Sequence, residues 1–207
     1  QKFNTLSTVG NYNNHIGVPL TLLQIRPQHD IAIIEMGANH QGEIDFLCNI
    51  AEPNFGMLTN IGKAHLEGFG GEEGVRTGKT EMFRFINKTG GTLFINLDDP
   101  KIKESIPQST ICITYSLNDS SANGKGKLKE KHPRLKGTWN YENNSGKIKS
   151  SLYGAYNFHN ILAACTIASY FGTNANAVTS AINSYESDMN RSQLIKKNEA
   201  LIYLDAY

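Results

Sequence analysis

The sequence predicts an α/β fold: a mostly parallel central sheet flanked by helices, with a small β-rich subregion. Two observations carry this. Several short β-rich runs are almost unbroken by polar residues, as strands covered on both faces are. Between them lie segments whose apolar residues recur every three or four positions, the helical period. Strands that alternate with helices pair in parallel through right-handed crossovers.

The elements follow in order. Residues 31–36 (IAIIEM), 55–61 (FGMLTNI), 92–97 (TLFINL) and 110–115 (TICITY) read as buried strands. Residues 42–51 form a helix with Ile44, Leu47, Ile50 and Ala51 on one face, and 80–87 a helix with Met82, Phe83 and Ile86 on another. Residues 116–150 are rich in Asn, Ser, Gly and Lys and read as an exposed hairpin region. Its candidate strands are 136–141 and 147–152, around a turn at Asn143-Asn144-Ser145-Gly146. The lysine-rich stretch 125–131 reads as a solvated loop rather than a polyanion site, because no aromatic residue interleaves with it. Residues 157–171 carry Ile161, Leu162, Cys165, Ile167, Ala168 and Phe171 on the apolar side of a helix. A second helix spans 174–185, and 201–204 is a last strand with Asp205 just beyond it.

Composition bounds the function. Of 207 residues, 39% are hydrophobic and 19% charged, which excludes a disordered chain. A net charge of +1 leaves no global footprint for nucleic acid or an anionic membrane. No apolar run approaches the roughly 20 residues that span a bilayer. The first residues do not read as a signal peptide, which points to the cytoplasm. Cys48, Cys112 and Cys165 are far apart and odd in number, so free thiols are expected rather than disulfides or a zinc site.

Ligands of open α/β sheets bind beyond the carboxyl ends of the strands. Three polar groups fall there. Glu35 is followed by Gly37, Ala38, Asn39 and His40; Asn60 by Gly62-Lys63-Ala64-His65; and Asn96 by Asp98-Asp99-Pro100. A carboxylate and a histidine at neighbouring strand ends could ligate a divalent metal. Capping and turn chemistry is the better explanation of any one of them alone, and a site the better explanation of the set.

Gly74-Val75-Arg76-Thr77-Gly78-Lys79-Thr80 imitates a phosphate-binding P-loop. That loop needs four residues between its glycines, and here there are three. Polar, glycine-rich residues precede it instead of a buried strand. The motif is rejected as a P-loop, and Lys79 is left to be explained.

GNYNNHIGVPLTLL (10–23), EMGANHQGEI (35–44) and TNIGKAHLEGFG (59–70) resemble the Mur ligase family. GKTEMF (78–83), NLDDP (96–100), YGAYNFHNILAA (153–164) and LDAY (204–207) continue the match in family order. The resemblance implies a central ATP-binding domain of P-loop NTPase type over 1–203, with 116–152 as a β-rich subregion and 204–207 opening a further domain. It implies an ATP-dependent ligase of peptidoglycan precursor synthesis. A UDP-linked muramoyl tripeptide is phosphorylated at its carboxylate, and the amine of D-Ala-D-Ala attacks the acyl phosphate. ATP and two magnesium ions are implied as cofactors, with Glu35, His65 and Lys79 at the metals and Lys79 carbamylated. His65 and Lys79 are thereby implied in catalysis. Asn157 and Asn160 are implied at the adenine, Arg191 near the phosphates and Asp205 at the ribose. Asn11, Asn13, Asn14 and His15 are implied to line the sugar-peptide substrate, Asn11 and Asn14 foremost. Tyr156 stands where the family usually has His. The resemblance also implies a true P-loop upstream of Gln1, so the 207 residues alone are expected to be inactive and to bind ATP poorly. Alternatives are another ligase of the superfamily, such as an amino-acid-adding enzyme or a folylpolyglutamate synthase, and a noncatalytic nucleotide- or protein-binding module.

Overall fold

The computed structural model describes residues 2–62, 65–131, 134–187, 193–198 and 200–204. They fall into two compact units. One comprises Gln1–Ile95 with Asp99–Cys112, the other Asn96–Asp98 with Ile113–Tyr207.

In the first unit, β1 (Thr5–Ser7) pairs in parallel with β2 (Ile31–Ile33), and α1 (Gly17–Leu22) lies between them in sequence. α2 (Glu43–Ala51) leads to β3 (Phe55–Met57). Three helices follow, α3 (Leu66–Phe69), α4 (Glu72–Lys79) and α5 (Glu81–Thr89), before β4 (Thr92–Asn96), which pairs in parallel with β3. α6 (Pro100–Glu104) is capped by Asp99, whose carboxylate accepts from the Lys101 and Ile102 amides at 3.0 and 3.2 Å. Val18, Leu47, Cys48, Phe69, Val75, Phe83, Ile86, Leu93 and Ile95 form its buried core.

Two of the sequence-predicted strands end early. Residues 31–36 pair only through Ile33, because β1 offers three partners; beyond it the Glu35 amide turns to the Thr8 hydroxyl at 2.9 Å. Residues 55–61 likewise pair only through Met57.

The P-loop look-alike is helix. Its amides close helical bonds, Val75 to the Gly71 carbonyl at 3.0 Å and Thr80 to that of Arg76 at 3.0 Å, so they cannot wrap a phosphate. Its lysine ends the helix instead of beginning one. Gly74 and Gly78, four apart, share a face. A β carbon on Gly74 would collide with the Phe69 carbonyl, and one on Gly78 would sit 2.5 Å from the Phe69 ring. The glycines let α4 close onto Phe69.

In the second unit, β5 (Ile111–Ser116) begins the ladder and pairs in parallel with β6 (Gly124–Glu130). β7 (Lys136–Tyr141) and β8 (Asn144–Lys149) continue it in antiparallel fashion. The sheet order is β3-β4-β5-β6-β7-β8. α7 (Tyr156–Tyr170) packs on β6 and β7, and α8 (Ala175–Ser184) on β8. β9 (Gln193–Lys197) and β10 (Ala200–Leu204) form a separate antiparallel pair.

Residues 116–150 are thus more than an exposed hairpin. The lysine-rich stretch read as a loop is strand β6, where Lys125 and Lys127 alternate with inward Gly126 and Leu128. The hairpin turn is also displaced. It falls at Glu142-Asn143, with Glu142 at φ 50°, and not at 143–146. Gly146 is a strand residue whose missing side chain makes room for the Thr179 hydroxyl and the Trp139 indole.

The three cysteines are free. Burial pushes the Cys48 and Cys165 thiols up to about 12, where they are inert at neutral pH.

Candidate active site

In the first unit the site is built at strand ends. Glu35 is exposed, two residues past β2. Its Oε1 accepts from Asn13 Nδ2 at 2.9 Å, and the Asn13 carbonyl accepts from the Gly37 amide at 2.7 Å. Gly37 has to be small here, because a β carbon would lie 2.9 Å from the same Asn13 amide nitrogen. Asn13 thus aims the Glu35 carboxylate. In a run of asparagines nothing in the sequence singles it out. Asn14 is occupied locally, its Oδ1 accepting from the Ile16 and Gly17 amides at 3.0 and 2.9 Å at the start of α1. Asn11 is exposed, and its carbonyl accepts from the Asn13 amide at 2.8 Å.

Lys79 is half-buried at the end of α4. Its Nζ donates to the Asn60 carbonyl, 3.4 Å away just past β3. Burial pushes its ammonium below the ordinary lysine range. His65 is exposed, holds φ 56° and opens α3, where its carbonyl accepts from the Phe69 amide at 3.1 Å. Lys63 and Ala64, between Gly62 and His65, lie outside the described residues.

Glu81 escaped the sequence reading. It is 5% exposed, and its carboxylate accepts from the Gly42 amide at 2.6 Å and the Asp45 amide at 2.9 Å. It therefore caps the amino end of α2 from another helix, where the helix dipole favours an anion. That cap fixes the segment that leads back through Gly37 to Glu35.

In the second unit Asn157 is not the cap of its helix; Ala155 is. Asn157 is buried, donates to the Tyr153 carbonyl at 2.8 Å and accepts from Asn160 Nδ2 at 3.2 Å. That contact orients the exposed Asn160 amide, which can donate and accept at once. Arg191 and Asp205 lie outside the described residues.

Asp98, one of the polar residues expected at a strand end, is an anchor whose partners the sequence did not reveal. Its side chain is 9% exposed and gathers the Leu117 backbone amide at 2.6 Å, the Ser116 hydroxyl at 2.5 Å and the Asn118 side-chain Nδ2 at 3.0 Å, with His159 Nδ1 at 3.6 Å. Burial opposes its charge, but these donors and His159 outweigh burial and hold the carboxyl below its usual range. A depressed carboxyl contributes stability in full above its unfolded pKa and loses it as pH falls through the folded one. Asp98→Asn sets an amide N–H against these donors and is expected to cost on the order of 1–3 kcal/mol at pH 7. Urea titration across pH checks this: the gap to the parent narrows below about pH 4, and a pH-independent gap refutes it.

Among the described residues no three His, Cys, Asp or Glu side chains gather as a metal site. Glu35 fits magnesium all the same, since that ion takes one or two carboxylates and completes its shell with water and phosphate oxygens. Lys79 as an ammonium fits no cation; as a carbamate it would.

Parallel strands with polar groups at their carboxyl ends define an α/β ligand-binding domain. Residues 1–168 match the family described as Mur ligase middle domain, and the chain belongs to that family. It is 31% identical over 207 residues to the UDP-N-acetylmuramoyl-tripeptide–D-alanyl-D-alanine ligase of Bacillus subtilis, covering 97% of this chain and 43% of the relative. The Haemophilus influenzae ligase of the same name is 36% identical, over 97% of this chain and 43% of its own length. A crystal structure of MurF from Acinetobacter baumannii superposes with a TM-score of 0.87 at 28% identity, over 100% of this chain and 45% of that one. The chain spans less than half the length of these relatives. No helix of the described residues is long and apolar enough to cross a membrane.

Proposed function

We propose that this chain is the central segment of a cytoplasmic ATP-dependent ligase that joins D-alanyl-D-alanine to UDP-N-acetylmuramoyl-tripeptide. The match to the Mur ligase middle domain carries the reading, with Glu35 and the half-buried Lys79 as the candidate site residues of the first unit. The names of the full-length relatives support it. We place Mur ligase central-domain structure over 1–203, beyond the 168 residues matched, with 204–207 opening a further domain.

The reaction brings two anions together. The tripeptide carboxylate attacks the γ-phosphorus of ATP, giving an acyl phosphate and ADP. The neutral amine of D-Ala-D-Ala attacks the acyl carbon, a tetrahedral intermediate forms, and its collapse expels phosphate as the nitrogen loses a proton. Glu35 would hold a magnesium ion, whose chemistry is to neutralise charge on the transferring phosphoryl group. The neutral Lys79 amine attacks CO2 and releases a proton, leaving a carbamate that could join His65 at a second ion. Asn160, braced by Asn157, reads the adenine edge. Arg191 meets the phosphates, Asp205 the ribose, and Asn11 and Asn14 the sugar-peptide substrate.

Phosphate release by the full-length ligase tests the assignment. It should depend on D-Ala-D-Ala together with the tripeptide substrate. Faster release with glutamate or meso-diaminopimelate would place the protein elsewhere in the superfamily.

A further inference from the structure

The global charge of +1 conceals a segregated one. Residues 124–149 hold eight basic residues against two acidic ones, while the rest of the chain holds twelve against seventeen. Strand register gathers the basic residues. Lys125 faces Asn140, Lys127 faces Thr138, Thr138 faces Lys147, and Lys136 faces Lys149 across the ladders, so all project from one side of β6-β7-β8. These five lysines are exposed. Glu130 pairs with Lys136 at 2.7 Å, and Glu142 sits in the turn at the sheet's end. The opposite side carries the buried Trp139, Tyr141 and Ile148.

We infer that this lysine face is an adsorption surface for an anionic lipid membrane. The sheet sets these lysines on one face, about 5 Å apart where they face directly, as Lys136 and Lys149 do, about 10 Å apart where β7 intervenes, as between Lys127 and Lys147, and about 7 Å apart along a strand, a lattice suited to a field of headgroups. A depression on it, of about 340 Å³ and lined by Lys125, Lys127, Thr138, Asn140 and Ser145, is too open to enclose a discrete ligand. Lysine, a flexible point charge, attracts anions without arginine's bidentate geometry. The face has no aromatic residue on which a base could stack, which disfavours single-stranded nucleic acid.

Co-sedimentation of the 207-residue chain with vesicles tests the inference. Vesicles of phosphatidylcholine with about 30% phosphatidylglycerol should bind it at low salt, and pure phosphatidylcholine should not. Each lysine near such a surface contributes about fivefold, so Lys127→Gln/Lys147→Gln/Lys149→Gln should weaken binding on the order of 100-fold. Lys2→Gln/Lys88→Gln/Lys103→Gln, which removes the same charge from exposed sites in the first unit, should weaken it far less. Circular dichroism confirms that both variants fold. No binding to anionic vesicles, equal loss in both variants, or tighter binding to duplex DNA than to vesicles overturns the inference.

Discussion

Lys79→Ala in the full-length ligase is expected to lower kcat by about 100- to 1,000-fold, the usual effect of removing one group that stabilises transition-state charge. Added short carboxylates should restore part of the loss, because they supply the anionic oxygens that a carbamate would. Lys79→Arg should stay inactive, since a guanidinium cannot react with CO2. The pH dependence has a defined sign. Burial lowers the ammonium pKa, so the neutral fraction that captures CO2 grows as pH rises through that lowered value. At a fixed concentration of dissolved CO2, activity of CO2-depleted enzyme should therefore recover faster at pH 9 than at pH 6. Stability shifts the same way, since the penalty for holding a half-buried ammonium is relieved as pH rises from that lowered value towards the ordinary lysine pKa. Undiminished turnover in Lys79→Ala removes the lysine from the mechanism.

Glu81→Ala is expected to produce the largest loss of stability, about 2–4 kcal/mol. Two charge-assisted bonds to the Gly42 and Asp45 amides disappear, and a part-buried helix end is left uncapped. Glu81→Gln keeps one acceptor and should lose about half as much. Chemical denaturation measures both. A loss below about 0.5 kcal/mol for the alanine variant, the range of an ordinary surface substitution, would show that the cap contributes little.

Local pattern carried much of the fold. β4 is buried at every position and α7 is long, so an apolar run and a helical period were enough to find them. What the sequence hid depends on distant partners. Glu81 caps a helix 36 to 39 residues away, and Asp98 is satisfied 18 to 20 residues downstream. Gly146 looked like a turn because a glycine in a polar run usually is one; the reason for it sits on α8. The lysines of β6 looked like a loop because Gly126 supplies no apolar side chain to reveal the alternation. At the site, Glu35 and Lys79 could be named from their motifs, but Asn13, the partner of Glu35, was indistinguishable from Asn11 and Asn14.

Lys79 closes α4, and so lies at the negative pole of that helix dipole. The dipole of α4 favours an ammonium there over a carbamate, although burial works against the ammonium's charge. The modified side chain would then persist only while a cation sits beside it. Carbon dioxide and the metal become mutually dependent ligands: saturating one raises the apparent affinity for the other by an equal factor, as thermodynamic reciprocity requires. If Lys79 is carbamylated as proposed, dissolved CO2 would set how much metal the site retains, and a chelator would strip the lysine of its modification without touching it.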